Sequence, residues 1–159
     1  ITYIHTPLYY TGLIFIVRTN DEIVDIKSFD DIRRLGTDGR ILSIGGTAEV
    51  AQLNGVGGLL VDDSPKSGEM NLQMLVRKRG RLAYLTDLEA AILIPKKNLT
   101  NDVRILPTVF SREARYLGIS KQVPAETVER LRTDLAILEN NGTLAKIIKD
   151  YNKMLPGDK

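Results

Sequence analysis

Four short apolar runs, each followed by a turn and a stretch of helical spacing, constrain what this chain can fold into more than any other feature. They are Leu13-Ile14-Phe15-Ile16-Val17, Ile41-Leu42-Ser43-Ile44, Leu59-Leu60-Val61 and Leu82-Ala83-Tyr84-Leu85. Short runs rich in aliphatic residues and bounded by turn formers read as strands, and near-continuous apolarity marks a strand covered on both faces. Strands that alternate with helices pair in parallel, because a parallel connection needs a crossover and the helix supplies it. The order therefore predicts an α/β fold with a mainly parallel sheet flanked by helices. The 159 residues make one domain or a little more, enough to bury a sizeable core.

The stretches between the runs carry their own start and stop signals. Ser28 with Asp31 three residues later is a capping-box variant, and Phe29, Ile32 and Leu35 give the following helix one apolar side. Gly36 and Gly39 break it. Residues 71–78 have Leu72, Leu75 and Val76 on one side, with Met70 and Met74 read as core filling. A helix over 88–94 runs into Pro95, which predicts its end there. Residues 1–10 read as an extended segment around Pro7, and Val103-Arg104-Ile105-Leu106 as a fifth strand. Tyr116-Leu117-Gly118-Ile119-Ser120 reads as a separate strand. Then Pro124 opens a helix with Val128, Leu131, Leu135 and Leu138 at helical spacing, ended by Asn140-Asn141-Gly142. Thr143 caps a last helix with the stripe Leu144, Ile147, Ile148, Tyr151 and Leu155, and 156–159 reads as a natural end.

Most classes of chemistry lack material. There is no cysteine, hence no disulfide, thiol catalysis or thiolate metal site, and the single histidine, His5, reads as a surface or packing residue. Asp62 and Asp63 before Ser64-Pro65 read as turn formers rather than cation ligands. The net charge of +2 is nearly balanced, and the one basic cluster, Arg77-Lys78-Arg79 with Arg81, reads as solvated helix capping rather than nucleic-acid binding. No apolar run approaches the roughly 18 residues of a membrane span, and no signal peptide is visible. The chain opens on Ile1 rather than Met, which leaves room for a leader before it.

Two places remain where the residues point to ligand chemistry. The run at 41–44 passes into Gly45-Gly46-Thr47 and then a helical pattern, so backbone donors and the positive end of a helix dipole face an anion there, with the Thr47 hydroxyl as a further donor. Asp87 stands at the carboxyl end of a predicted parallel strand, the edge where ligands bind in open α/β sheets. Its alternative reading is the N-cap of the next helix.

These pieces, in this order, resemble the solute-binding proteins of ABC importers, in particular the polar amino-acid-binding family with the type II periplasmic-binding-protein fold. The resemblance is carried by Pro7-Leu8-Tyr9-Tyr10-Thr11-Gly12 before the first apolar run and by Ile44-Gly45-Gly46-Thr47 at a helix start. It continues through Gly80-Arg81-Leu82-Ala83 ahead of Asp87, and through Tyr116-Leu117-Gly118-Ile119 leading to Glu139-Asn140-Asn141-Gly142-Thr143. It implies a lobe 2 that is nearly complete over 13–108 and a partial lobe 1. Residues 1–12 would end that lobe's first part, 109–115 form a hinge, and 116–159 be its returning part.

The resemblance also implies a site: Gly45, Gly46 and Thr47 facing an α-carboxylate, Asp87 facing an α-ammonium, and Tyr84 as a further contact with strand core as its alternative. The family's carboxylate-clamping arginine would lie upstream of Ile1. The implied function is periplasmic binding of an amino-acid-like zwitterion by cleft closure, in partnership with the membrane permease of an ABC importer, without catalysis, cofactor, metal or nucleic acid. The alternatives on the same fold are a ligand-sensing input domain of a membrane signalling protein and a dehydratase-like enzyme with Asp87 and Glu49 as acid and base. With lobe 1 partial, the stripes on 128–138 and 144–155 are exposed apolar surface that self-association of two copies would bury.

Overall fold

The first apolar run lies inside a strand much longer than itself. In a computed structural model, which describes residues 1–154 with side chains through residue 150, β1 spans Thr2–Arg18 and so includes the opening segment that reads only as extended. The elements that follow are α1 (Phe29–Arg34), β2 (Ile41–Leu42), α2 (Ala48–Val56), β3 (Val61–Asp62), α3 (Gly68–Val76), β4 (Leu82–Thr86), α4 (Asp87–Lys96), β5 (Val103–Ile119), α5 (Ala125–Asn140) and α6 (Thr143–Met154). The chain divides into a central unit, Gly12–Arg112, and a terminal unit made of Ile1–Thr11 and Glu113–Lys159.

The central unit holds a five-stranded sheet in the order β3-β2-β4-β1-β5. β2 pairs in parallel with both β3 and β4, while β1 runs antiparallel to β4 with Phe15 opposite Tyr84, so the sheet is mixed. Side-chain alternation along each strand then builds two cores from one sheet. On one face Leu13, Phe15 and Val17 of β1, Ile41 of β2, and Leu82 and Tyr84 of β4 pack with Ile32 of α1 and Leu53 of α2. On the other, Ile14 and Ile16, Leu42, and Ala83 and Leu85 meet Leu72 and Leu75 of α3 and Ala90 and Ile94 of α4. Burial on both faces is why the runs carry almost no polar residue. Each fully buried aliphatic or Phe side chain contributes about 1.5–3 kcal/mol.

The helix signals translate into bonds. Ser28 caps α1, its hydroxyl accepting from the Asp31 amide while the Asp31 carboxylate accepts from the Ser28 amide, which is the capping box the spacing predicts. Ser67 caps α3 by accepting from the Met70 amide. Asp62 Oδ1 accepts from the Ser64 amide at 3.0 Å, a turn-forming bond.

Two expectations need correction. α4 does not stop at 94: Pro95 lies within its last turn, and Lys97, Asn98 and Leu99 donate back to Leu93, Pro95 and Ile94, so the proline sits where the helix is already closing. The two strands expected at 103–106 and 116–120 are one, β5, which Pro107 does not interrupt. β5 is the outermost strand of the order, and an edge strand tolerates a residue that cannot donate to a neighbour.

In the terminal unit Ile4, Ile119 and Leu135 are buried together, with Leu8, Leu117, Val123, Val128 and Leu131 against them, so the stripe read for 128–138 packs through three of its four residues. Arg115 Nε donates to Thr11 Oγ1 at 2.9 Å. His5 is exposed and lies edge-on to Tyr116, with ring centroids 6.1 Å apart. Gly142 adopts φ +75° and the Asn141 side chain accepts from the Thr143 amide, the local geometry behind the Asn140-Asn141-Gly142 break. The side chains of Tyr151 and Leu155, and the expected end at 156–159, lie outside the described residues.

Candidate functional site

β2 is the first parallel strand, and its neighbours decide where a ligand can bind. The chain leaves β2 through α2 to β3 on one side, then returns through α3 to β4 on the other. Adjacent parallel strands whose helices depart in opposite directions leave a crevice outside their carboxyl ends. In the register of Ile41 with Leu82 and Leu42 with Ala83, the residues beyond β2 and those beyond β4 emerge at the same edge. They are the Gly45-Gly46-Thr47 turn and the Thr86-Asp87 step, read from the sequence as independent candidates.

The turn after β2 owes its shape to two different glycine requirements. Gly45 donates its amide to the Pro65 carbonyl at 2.9 Å, and a Cβ there would lie 2.3 Å from the Asp63 carbonyl oxygen, so this position needs glycine for space. Gly46 needs it for conformation, with φ +82° and nothing within 4 Å of a Cβ. Thr47 is the N-cap of α2, but its hydroxyl donates to the Ile44 carbonyl at 2.8 Å and no side chain caps the helix. The Thr47 amide also leans on Ile44, at 3.3 Å. What the turn offers an anion is thus the uncapped first turn of α2; the hydroxyl must turn away from Ile44 to donate to a ligand. Gly45→Ala tests the spacing. Its Cβ meets a backbone atom that cannot rotate away, so about 1–3 kcal/mol of stability is expected to be lost in urea unfolding, and a wild-type midpoint would contradict the geometry.

Asp87 is the first residue of α4, and the cap is its neighbour: Thr86 Oγ1 accepts from the Glu89 amide at 3.1 Å. Asp87 Oδ1 accepts from the Leu88 amide at 2.7 Å. Its Oδ2 lies over Gly12, where a Cβ would stand 2.8 Å from that oxygen and 2.7 Å from Val109 Cγ1. Gly12 therefore makes room for the carboxylate. Tyr84 is 1 % exposed in the first core, and its hydroxyl lies 3.0 Å from Gln52 Oε1 on α2. That places its ring as a strut beneath α2.

Several residues around this edge escape a reading of the sequence alone. Buried Asn71 on α3 donates to the carbonyls of Leu42 and Tyr84, at 3.2 and 3.4 Å, and so ties β2 to β4 near their carboxyl ends. Glu89 crowds Gly68 at the start of α3, and burial, reinforced by the Glu49 carboxylate at the start of α2, pushes its carboxyl up. Lys66 Nζ lies 3.2 Å from where a Gly45 Cβ would be. None belongs to a local motif, and an acidic residue in a first helical turn already has a sufficient cause in the helix dipole.

No protein-family profile matches the chain, and no curated protein does. Solved structures do. The chain is similar to a mutant of ArgBP from T. maritima at 19% identity and TM-score 0.73, over 96% of this chain and 62% of that one. It is similar to the GluR0 ligand-binding core from Nostoc punctiforme in complex with L-glutamate, at 19% identity and TM-score 0.66, over 93% and 63%. A third is the binding component of an ABC transporter from Wolinella succinogenes complexed with lysine, at 14% identity and TM-score 0.70, over 94% and 61%. The chain thus spans about three fifths of the length of the structures it matches. With helices on both faces of a mixed sheet, and with this likeness over nearly all of its length, the chain has part of the α/β fold of these binding proteins.

Proposed function

We propose that this chain is the larger part of an extracytoplasmic solute-binding protein that takes up an amino acid or similar small zwitterion together with the permease of an ABC importer, and performs no chemistry. The observation that carries this reading is the pairing of β2 with β4, which sets an uncapped helix N-terminus and a carboxylate at one sheet edge. A zwitterion offers one group to each. The helix end favours the carboxylate by about 0.3–2 kcal/mol, and a charge-assisted hydrogen bond from an ammonium to Asp87 contributes about 1.5–3 kcal/mol. Two of the similar structures hold amino acids, L-glutamate and lysine, which supports the ligand class.

Calorimetric titration with L-lysine, L-arginine and L-glutamate tests it, using the protein extended through the first part of lobe 1. Saturable binding of at least one is expected. Asp87→Ala should weaken it roughly 10- to 150-fold, and Thr47→Ala by a few-fold, matching a charge-assisted and a neutral hydrogen bond. Unchanged affinity in both variants would sink the site, and an absence of binding by any zwitterion would sink the function.

A further inference from the structure

The central unit has a second concavity at the opposite edge of its sheet. Arg40 immediately precedes β2 and Arg81 immediately precedes β4, while β1, running the other way, ends there at Arg18. With the turn after α3 these residues line an open cavity of about 520 Å³.

Its floor is held by hydrogen bonds and ion pairs and is close to neutral. Arg18 donates to the carbonyls of Leu75 and Gly80, at 3.0 and 2.8 Å, and its guanidinium is 3.6 Å from Asp21. Arg81 grips Asp21 through both Nε and Nη2 and reaches Glu22 at 3.1 Å. These charges are spent on each other. The rim is different. Arg40, Lys78 and Arg79 are exposed and form no ion pair or side-chain hydrogen bond among the described residues, and Asp38 is the one carboxylate beside them in the lining. Asp62 on β3 feels Arg40 and Arg79 but pairs with neither. The lining as a whole holds as much net positive charge as the entire 159-residue chain.

Lys78 adds an independent sign. It closes α3 in the left-handed region at φ +60°, while the Arg79 amide donates to Met74 across it. Glycine is the residue that fits such a helix end without strain. A lysine held there keeps a cation in the lining at a cost in stability.

We propose that this cavity binds an oxyanion of the phosphate class, with Arg40, Lys78 and Arg79 as its donors and the Arg18–Asp21–Arg81 floor holding its shape. Three cations in one lining, without ion-pair partners among the described residues, are the chemistry that recognises such an anion, and a cavity of this size admits a pyrophosphate or a phospholipid headgroup. The site is separate from the edge that carries Thr47 and Asp87.

The probe is pyrophosphate, titrated at low ionic strength into the isotope-labelled chain and followed by amide NMR. Saturable shifts confined to residues 38–41 and 77–81, and weakened by added salt, are expected. Arg40→Ala and Arg79→Ala should each bind about tenfold more weakly. Lys78→Gly is the sharper variant: it should unfold at a higher urea concentration, because the strain is gone, yet bind pyrophosphate about tenfold more weakly. A second arm floats the protein with vesicles of phosphatidylglycerol or phosphatidylcholine. Flotation with the anionic lipid alone, lost in R40E/R79E, assigns a lipid headgroup as source, whereas pyrophosphate binding without flotation assigns a soluble anion. Shifts that rise linearly, or that appear equally at Lys121 and Lys149, overturn the proposal, as does a Lys78→Gly variant that gains stability and binds as wild type.

Discussion

Phe15→Ala is expected to cost about 3–5 kcal/mol, close to the whole stability margin of many domains. Phe15 is fully buried at the centre of an aromatic cluster, with ring centroids 4.6 Å from Tyr84, 4.9 Å from Phe110 and 6.4 Å from Phe29. These rings come from three strands and a helix, so the vacated volume cannot close by moving one of them. The loss also reaches the candidate site. Tyr84 rests on Phe15 and directs its hydroxyl at Gln52 of α2, the helix whose first turn faces the crevice. Phe15→Leu keeps most of the volume and should cost clearly less. Urea unfolding of the two variants checks this, and an alanine variant within about 1 kcal/mol of wild type would mean that the cluster is not the keystone of this core.

Asp21→Asn should be the next most damaging change, at about 2–4 kcal/mol near neutral pH. The Asp21 side chain is 5% exposed and faces two guanidiniums, so the amide leaves Arg18 and Arg81 short of their counter-charge. The pH dependence follows from the same contacts. Burial pushes the Asp21 carboxyl up, but the hydrogen bond from Arg81, that from the Ile23 amide, and the charges of Arg81 and Arg18 together outweigh it and hold the group below its ordinary value. A carboxyl lowered in the folded state binds fewer protons there than in the unfolded chain. Its contribution is therefore complete above the ordinary aspartate value, about 4, and disappears as the pH falls through the lower folded value. Wild type should lose stability over that acid range and Asp21→Asn should lose less. Equal acid sensitivity of the two proteins would show that other carboxylates govern it.

The positioning of this salt bridge illustrates what a sequence reader can and cannot see. Asp21 and Glu22 look like turn formers after a strand, and Arg81 like one more cation after α3. They meet only because β1 and β4 are antiparallel neighbours, which puts residues sixty positions apart at one edge. Features decided within a few residues were legible. The Ser28–Asp31 box depends on a three-residue spacing, and the apolar runs at 13–17 and 82–85 on a two-residue alternation that here fills both faces. Where two causes competed inside one turn, the outcome was not legible: Thr86 rather than Asp87 caps α4, and the Thr47 hydroxyl bonds Ile44 rather than standing free. The length of β5 was hidden too: it joins the strands read at 103–106 and 116–120 across Pro107, which its place at the sheet edge makes possible.

By itself, then, the sequence determined most of the elements, their α/β alternation, and the local turns at Gly45-Gly46-Thr47 and before Asp87, because hydrophobic period, glycine conformation and helix capping act over short distances along the chain. The tertiary structure decided that Gly12 makes room for Asp87 and that Arg40, Lys78 and Arg79 gather at the other edge, and it set at one edge the two turns that only the family resemblance had joined. The physical reason is strand order. β2 lies between β3 and β4 because that arrangement buries both faces of the sheet at once, and no local periodicity encodes which strands become neighbours.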